Sequence, residues 1–300
     1  MGATAERLAA QGGAERLAGW CRGRRRLLVI TGAGCSTESG IPDYRDASGA
    51  WKRRPPVQMR DFLMSETVRK RYWARSLLGW RHFSRARPNA AHHALARLEA
   101  AGGIAHLITQ NVDGLHQQAG SRRVTDLHGR LDEVLCLGCG ARRPRAALQP
   151  ELEARNPGWS SLSAGYAPDG DADLEAMDFS GFEVPACTTC GAILKPDVVF
   201  FGDAIPAERS RAALEEAEAA DALLVVGSSL MVWSGFRLAR AVAERGRPVA
   251  ALNLGATRAD PLLELKVTAP CGATLAELVS LLDAAEQPHG FMANSSLPSC

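Results

Sequence analysis

Leu27-Leu28-Val29-Ile30-Thr31-Gly32-Ala33-Gly34 begins as an apolar run and ends on two glycines one residue apart. A short apolar run bounded by glycine is the pattern of a strand buried on both faces. Glycines directly after such a strand let the backbone approach a pyrophosphate, and the amides of a helix starting there favour its negative charge. The dinucleotide fingerprint is incomplete, because its third glycine position holds Thr37 and the acidic residues downstream, Asp43 and Asp46, lie in loop sequence. Taken alone, the motif leaves a plain tight turn open. The polar, Gly/Pro-containing segment from Cys35 to Arg45 has more side-chain donors than a connector needs, and reads as a flap over a bound ligand.

Apolar runs of the same kind return at residues 104–109, 222–226, 249–252 and 265–268, with helical stretches near 90–101, 208–220, 235–245 and 275–285. Strands alternating with helices predict an α/β fold built on a doubly wound, Rossmann-like parallel sheet. Residues 6–20 read as an alanine-rich first helix, and the basic residues 22–26 as its solvated end. Two blocks break the alternation. Residues 45–88 are rich in arginine and aromatics and read as helical, with Ser65 as an N-cap before residues 69–87. Residues 131–195 carry four cysteines around a middle, 156–173, rich in Gly, Ser, Pro and Asp. The expected organisation is a discontinuous nucleotide-binding domain (1–44, 89–130 and 196–286), a smaller helical and zinc-binding domain (45–88 and 131–195), and a disordered tail (287–300).

The cysteines form two matching knuckles, Cys136-Leu137-Gly138-Cys139-Gly140 and Cys187-Thr188-Thr189-Cys190-Gly191. Two Cys-x-x-Cys pairs supply the four thiolates that tetrahedral Zn²⁺ prefers and leave no open coordination position. Glycine after each second cysteine lets the chain turn tightly around the ion. The spacer, residues 140–186, is longer than usual and must loop out of the module. Two redox pairs or disulfides are the alternative. Zinc is the preferred reading because nothing marks the chain as secreted.

Composition sets wide bounds. With 300 residues, 46% hydrophobic and 23% charged, the chain is an ordinary globular protein of one or two domains. A net charge of +2 implies no nucleic-acid partner. No uninterrupted apolar window is long enough for a membrane span, and the expected location is the cytoplasm.

The ordered motifs are more specific. Gly32–Ser36 with Gly40–Arg45, then Thr109–His116, Leu127–Gly129, the four cysteines, Lys195–Gly202, Gly227–Ser229 and Asn253–Gly255 resemble those of the sirtuin family, over roughly residues 20–285. The long spacer, with Arg71–Arg75 and Gly79-Trp80, is most similar to the class II branch, whose mitochondrial member is known for weak deacetylation and other acyl or ADP-ribosyl activities. The resemblance implies an NAD-dependent protein-lysine deacylase. Such an enzyme consumes NAD, releases nicotinamide and O-acyl-ADP-ribose, and carries one structural zinc. Protein mono-ADP-ribosyl transfer or NAD hydrolysis is the alternative within the family, and a non-catalytic NAD sensor is the alternative outside enzymes.

By the same resemblance, His128 is the catalytic base, suited to take a proton from a ribose hydroxyl near neutral pH. Asn111 orders water or ribose, and Asp113 bonds the nicotinamide carboxamide; an Asx turn is the plain structural reading of that pair. Ser36 and Ile41 complete the nicotinamide pocket, Gln110 contacts the ribose, and Arg45 faces the phosphates beside Gly32, Ala33, Gly34 and Tyr44. Gly227, Ser228, Ser229, Asn253, Leu254, Gly255 and the backbone of Cys271 hold the adenosine half. Val198, Val199 and Phe200 pair with the substrate peptide as an added strand. Phe200 or Phe201 walls the acyl tunnel, with buried core as the alternative for both. Sirtuins that prefer dicarboxylic acyl groups carry a Tyr-x-x-Arg pair in that tunnel. This chain has Tyr72 and Arg75, but counting back from Pro88-Asn89 puts Ser76 and Gly79 at those positions. Arg69, Arg71, Arg75 and Arg81 crowd the segment, either toward an acidic acyl group or as a solvated face.

Overall fold

A computed structural model of the chain describes residues 2–46, 48, 50, 52, 56–162 and 177–286. The tail at 287–300 and most of the Gly/Ser/Pro/Asp-rich stretch lie outside the described residues. Helix α1 (Gly2–Cys21) leads into β1 (Leu27–Thr31), and α2 (Met59–Met64), α3 (Glu66–Phe83) and α4 (Ala90–Ala100) follow. Next come β2 (His106–Thr109), α5 (Leu115–Gln118), β3 (Val124–Asp126), β4 (Gly129–Cys136), β5 (Arg142–Pro144), α6 (Arg145–Arg155) and α7 (Pro157–Ser160). The chain closes with β6 (Leu194–Val198), α8 (Ala207–Ala219), β7 (Ala222–Val226), α9 (Trp233–Glu244), β8 (Val249–Leu252), β9 (Leu265–Val267) and α10 (Cys271–Glu286).

Six strands form one sheet in the order β3-β2-β1-β7-β8-β9, every neighbouring pair parallel. The two-residue period of a strand sorts its side chains between two helical layers. Leu27 and Val29 enter the core shared with α1, α4 and α10, whereas Leu28 and Ile30 enter the core shared with α8 and α9. β1 and β7 are buried at every position, as expected of strands covered on both faces. The sequence pattern missed β3, whose three half-buried residues form no apolar run.

The glycine turn after β1 departs from expectation. Instead of an α-helix it forms two short 3₁₀ helices, Ala33–Cys35 and Thr37–Ser39. Gly34 N is committed to Gly227 O at 2.8 Å, and Gly40 closes the second turn at φ 82°. The amides near the crevice therefore belong to tight turns rather than to one helix.

The smaller unit is a three-stranded antiparallel sheet, β5-β4-β6, packed on aromatic residues. Phe62, Tyr72, Trp73, Leu77, Leu148, Leu152 and Phe182 share its core. α3 starts as predicted, with Ser65 Oγ accepting from Val68 N. Part of the spacer is structured, since α6 and α7 lie within it and α6 supplies Leu148 and Leu152. β4 and β6 run across the positions 130/131 and 195/196, so continuous strands link the two units there.

The cysteines close a compact cluster, with their sulfurs within 4.8 Å of one another. Cys136 and Cys190 sulfurs are 3.5 Å apart, and those of Cys139 and Cys187 3.8 Å. Bonds of about 2.3 Å in a tetrahedron put sulfurs roughly 3.8 Å apart, so the geometry fits zinc. Each knuckle makes the same turn: Gly140 N donates to Cys136 O and Gly191 N to Cys187 O, both glycines at φ 73°. Among the described residues no helix is long and apolar enough to cross a membrane.

Candidate active site

In the large sheet the chain steps from β1 to β2 on one side, whereas β7 lies on the other. Loops that diverge at such a point leave a crevice beyond the carboxyl ends of the strands. A cavity of about 820 Å³ occupies it, bounded by the loops after β1, β2, β7 and β8 and by the Val198–Asp203 segment. Gly227 makes the crevice possible: its φ is 57°, and a Cβ there would lie 2.3 Å from Cys35 N. All the residues expected to contact the dinucleotide line this cavity, as do His128, Val198, Val199, Phe200 and Phe201.

The floor is a connected polar group. Asn111 Nδ2 donates to Gly32 O and to Ser36 Oγ, each at 3.0 Å. Ser36 Oγ donates to Asp113 Oδ2 at 2.7 Å, while Asp113 Oδ1 accepts from Leu115 N at 2.9 Å. The Asx turn thus exists at Asp113 but engages one oxygen only. Burial raises the Asp113 carboxyl above its ordinary range, against the opposing bonds from Leu115 and Ser36. Gln110 Nε2 donates to Ser228 Oγ at 2.8 Å and to Thr31 O at 3.2 Å, tying the loops after β1, β2 and β7. Leu230 adopts φ 51° at the same rim, the one non-glycine residue with positive φ among the described residues.

His128 lies just before β4, with both ring nitrogens engaged. Gln110 O can only accept, so Nδ1 carries the proton and donates to it at 3.0 Å. Nε2 then holds a lone pair, which accepts from Ser234 Oγ at 2.8 Å. Burial lowers the pKa to about 4, the Gln110 bond opposing and Arg209 assisting, so the ring is neutral at physiological pH. The backbone is fixed too: Val199 N donates to His128 O at 2.8 Å. At Gly129 (φ 86°) a Cβ would lie 1.9 Å from Asp197 O, so only glycine lets β4 and β6 close beside the histidine. Sequence reading missed Ser234, which is 106 residues from His128 with no motif joining them.

One wall is apolar and aromatic. Phe200 packs on Phe62 and Tyr72 with ring centroids 5.2 and 5.3 Å away. It belongs to the core of the smaller unit and also lines the cavity, so the two readings of Phe200 are not exclusive. Tyr72 reaches the cavity, whereas Arg75, Ser76 and Gly79 do not line it. Ser76 instead faces α6, where Arg145 donates to its backbone oxygen. None of Arg69, Arg71, Arg75 and Arg81 lines the cavity. Arg69 donates to Phe62 O and Leu63 O at the end of α2, and Arg81 pairs with Glu153.

A doubly wound parallel sheet with a crevice at its switch point, and a neutral imidazole opening into that crevice, define a dinucleotide-type α/β architecture. Residues 32–234 match the model of the Sir2 family. The chain is 60% identical over 266 residues to the NAD-dependent protein deacetylase of Bordetella bronchiseptica, covering 89% of this chain and 97% of the relative. It is 50% identical over 262 residues to the human NAD-dependent protein lipoamidase sirtuin-4, mitochondrial, covering 86% and 82% respectively. A solved Sir2–p53 peptide–NAD+ structure superposes with TM-score 0.72 at 28% identity, covering 90% of this chain and 98% of that one. The chain belongs to the Sir2 family.

Proposed function

We propose that this chain is an NAD-dependent protein-lysine deacylase in which His128 is the base. The observation that carries this reading is the His128 tautomer: Nδ1–H is held by Gln110 O, and the basic Nε2 shares the cavity with Asn111 and Asp113. NAD, when bound, supplies the ADP-ribosyl group that accepts the acyl group as nicotinamide leaves. Gly32, Ala33, Gly34, Ser36, Ile41, Tyr44, Arg45, Gln110, Asn111 and Asp113 would hold its nicotinamide–ribose and phosphate side. Gly227, Ser228, Ser229, Asn253, Leu254, Gly255 and Cys271 would hold the adenosine half. The convergence of all of them on one cavity supports the assignment. His128 Nε2 takes the proton of a ribose hydroxyl, with Ser234 Oγ yielding its place. Ser36 and Asn111 keep Asp113 oriented, so that its carboxyl can meet an amide group.

β6 is an edge of its sheet, which supports pairing of an acyl-lysine peptide along Val198, Val199 and Phe200. Tyr72 and Phe200 would line the path of the acyl chain. The absence of the four helix arginines from the lining argues against recognition of an acidic acyl group by them. The long spacer and the likeness to the human lipoamidase support placement in the class II branch. Zinc would be held by Cys136, Cys139, Cys187 and Cys190. It would supply a cross-link and no chemistry, since four thiolates leave no open position.

Incubation with NAD and a panel of acyl-lysine peptides, following nicotinamide and peptide mass together, tests the proposal. Peptide-dependent nicotinamide release that disappears in His128→Tyr is the expected result. Peptide-independent release with labelled protein would turn the assignment to ADP-ribosyl transfer, and binding without turnover would turn it to an NAD sensor.

A further inference from the structure

Cys35, His92 and His116 converge in the core beneath the glycine turn, outside the cavity lining and apart from the cysteine knuckles. Their relative exposures are 1%, 0% and 1%, and their ligand atoms lie within 4.8 Å of one another. The two imidazole rings are 4.7 Å apart between centroids. Each ring has one nitrogen in a hydrogen bond and one without. His92 Nδ1 lies 3.0 Å from Asn89 Oδ1 and 3.3 Å from Asn89 N. Thr31 Oγ1 donates to Thr109 Oγ1 at 2.9 Å, so it accepts from His116 Nε2, also at 2.9 Å. The remaining nitrogens, His92 Nε2 and His116 Nδ1, are buried without a hydrogen-bond partner. Burial keeps both rings neutral, with pKa values lowered to about 4 and about 3. Such orphaned groups are rare, and each calls for a physical cause.

We propose that Cys35 Sγ, His92 Nε2 and His116 Nδ1 form a buried three-coordinate site for one Cu(I) ion. The donor set is one soft sulfur and two imidazoles, which suits copper. Charge decides between soft metals. Cu(I) with one thiolate and two neutral imidazoles is neutral overall, whereas Zn²⁺ would leave a net positive charge in an apolar core and would want a fourth ligand. A ligated Nε2 on His92 places the ring proton on Nδ1, where Asn89 Oδ1 at 3.0 Å accepts it in exchange for the bond that Nδ1 otherwise accepts from Asn89 N. Binding releases the Cys35 thiol proton to solvent, forms one Cu–S and two Cu–N bonds, and transfers no electron. Metal–ligand bonds of about 2.0–2.3 Å bring donor atoms to roughly 3.5 Å, so binding would draw the three side chains together from a spacing within 4.8 Å. Cys35 lies between Gly34 and Ser36, both in the cavity lining, and its carbonyl accepts from Asn89 Nδ2 at 2.8 Å. An ion here would fasten the cavity floor to α4 and α5.

The test uses the full-length, zinc-loaded chain under anaerobic reducing conditions, with Cu(I) delivered from a chromogenic Cu(I) chelator. One copper per chain should leave the chelator while zinc stays bound, and X-ray absorption should show a shell of one sulfur and two nitrogens. Cys35→Val, with zinc content confirming that it folds, should bind copper more weakly by more than roughly 100-fold, the upper end for loss of an outer-shell partner. No uptake, zinc release equal to copper uptake, an all-sulfur shell, or unchanged uptake by Cys35→Val would each overturn the site. The absorption measurement needs no variant and decides the ligands directly.

Discussion

The two sheets of this molecule are held together by different means. The six-stranded parallel sheet buries aliphatic residues on both faces between two helical layers, so apolar burial together with its strand pairing holds it without a metal. The three-stranded unit has a smaller core, rich in aromatics, and ties its end by four thiolates. The candidate chemistry sits where they meet: His128 precedes β4 of the small sheet, while Asn111 and Asp113 follow β2 of the large one. Either unit alone holds half of the site, and Gln110 O joins the halves by fixing the His128 ring.

The sharpest way to break this contrast is to remove the metal. Chelation, or Cys187→Ala, should strip the zinc and unfold the smaller unit, since structural zinc contributes about 10–16 kcal/mol in small modules. Hydrogen exchange should show lost protection in β4–β6 with β1, β7 and β8 still protected; simultaneous loss in both sheets would refute the division. Next in size is His128→Tyr, which should lower turnover about 10²–10⁴-fold, the range for loss of a general base. Zinc content should be unchanged, so a parallel loss of metal would assign the residue to the scaffold.

A smaller effect is expected of Gly227→Ala, on the large-sheet side. Its left-handed backbone costs about 1–3 kcal/mol with a side chain present, and the added Cβ collides with the turn after β1. Denaturant unfolding and NAD titration should both weaken while zinc stays stoichiometric. The smallest effect concerns pH. A lowered pKa means that the His128 base form is present above about 4 and is lost as pH falls through that value. Turnover should therefore be insensitive to this group near neutrality. Ser234→Ala removes a donor to the neutral ring, so the acid limb of the pH–rate profile should move upward, by less than about one unit. A downward shift would mean that Ser234 accepts from a protonated ring instead.

Much of this was legible beforehand, for physical reasons. β1, β7 and β8 are short apolar runs, β1 closing on Thr31, bounded by glycine, proline or polar residues, so pattern alone located them. The cysteine knuckles and Ser65 were legible because their chemistry is local. β3 was not, because an edge strand of three half-buried residues has no composition of its own. Ser234, the seat of Tyr72 on the cavity wall, and the meeting of Cys35 with His92 and His116 were hidden too. Each depends on segments brought together only by packing.

The sequence by itself determined the doubly wound sheet and the four metal-binding thiols, because periodicity and motif spacing are carried along the chain, and its resemblance to the sirtuins implied the residues around the crevice. The tertiary structure alone decided which nitrogen of His128 is basic, which face of α3 meets the cavity, and which buried imidazoles lack a partner. Those are matters of hydrogen bonding and desolvation between distant segments, and no linear pattern encodes them.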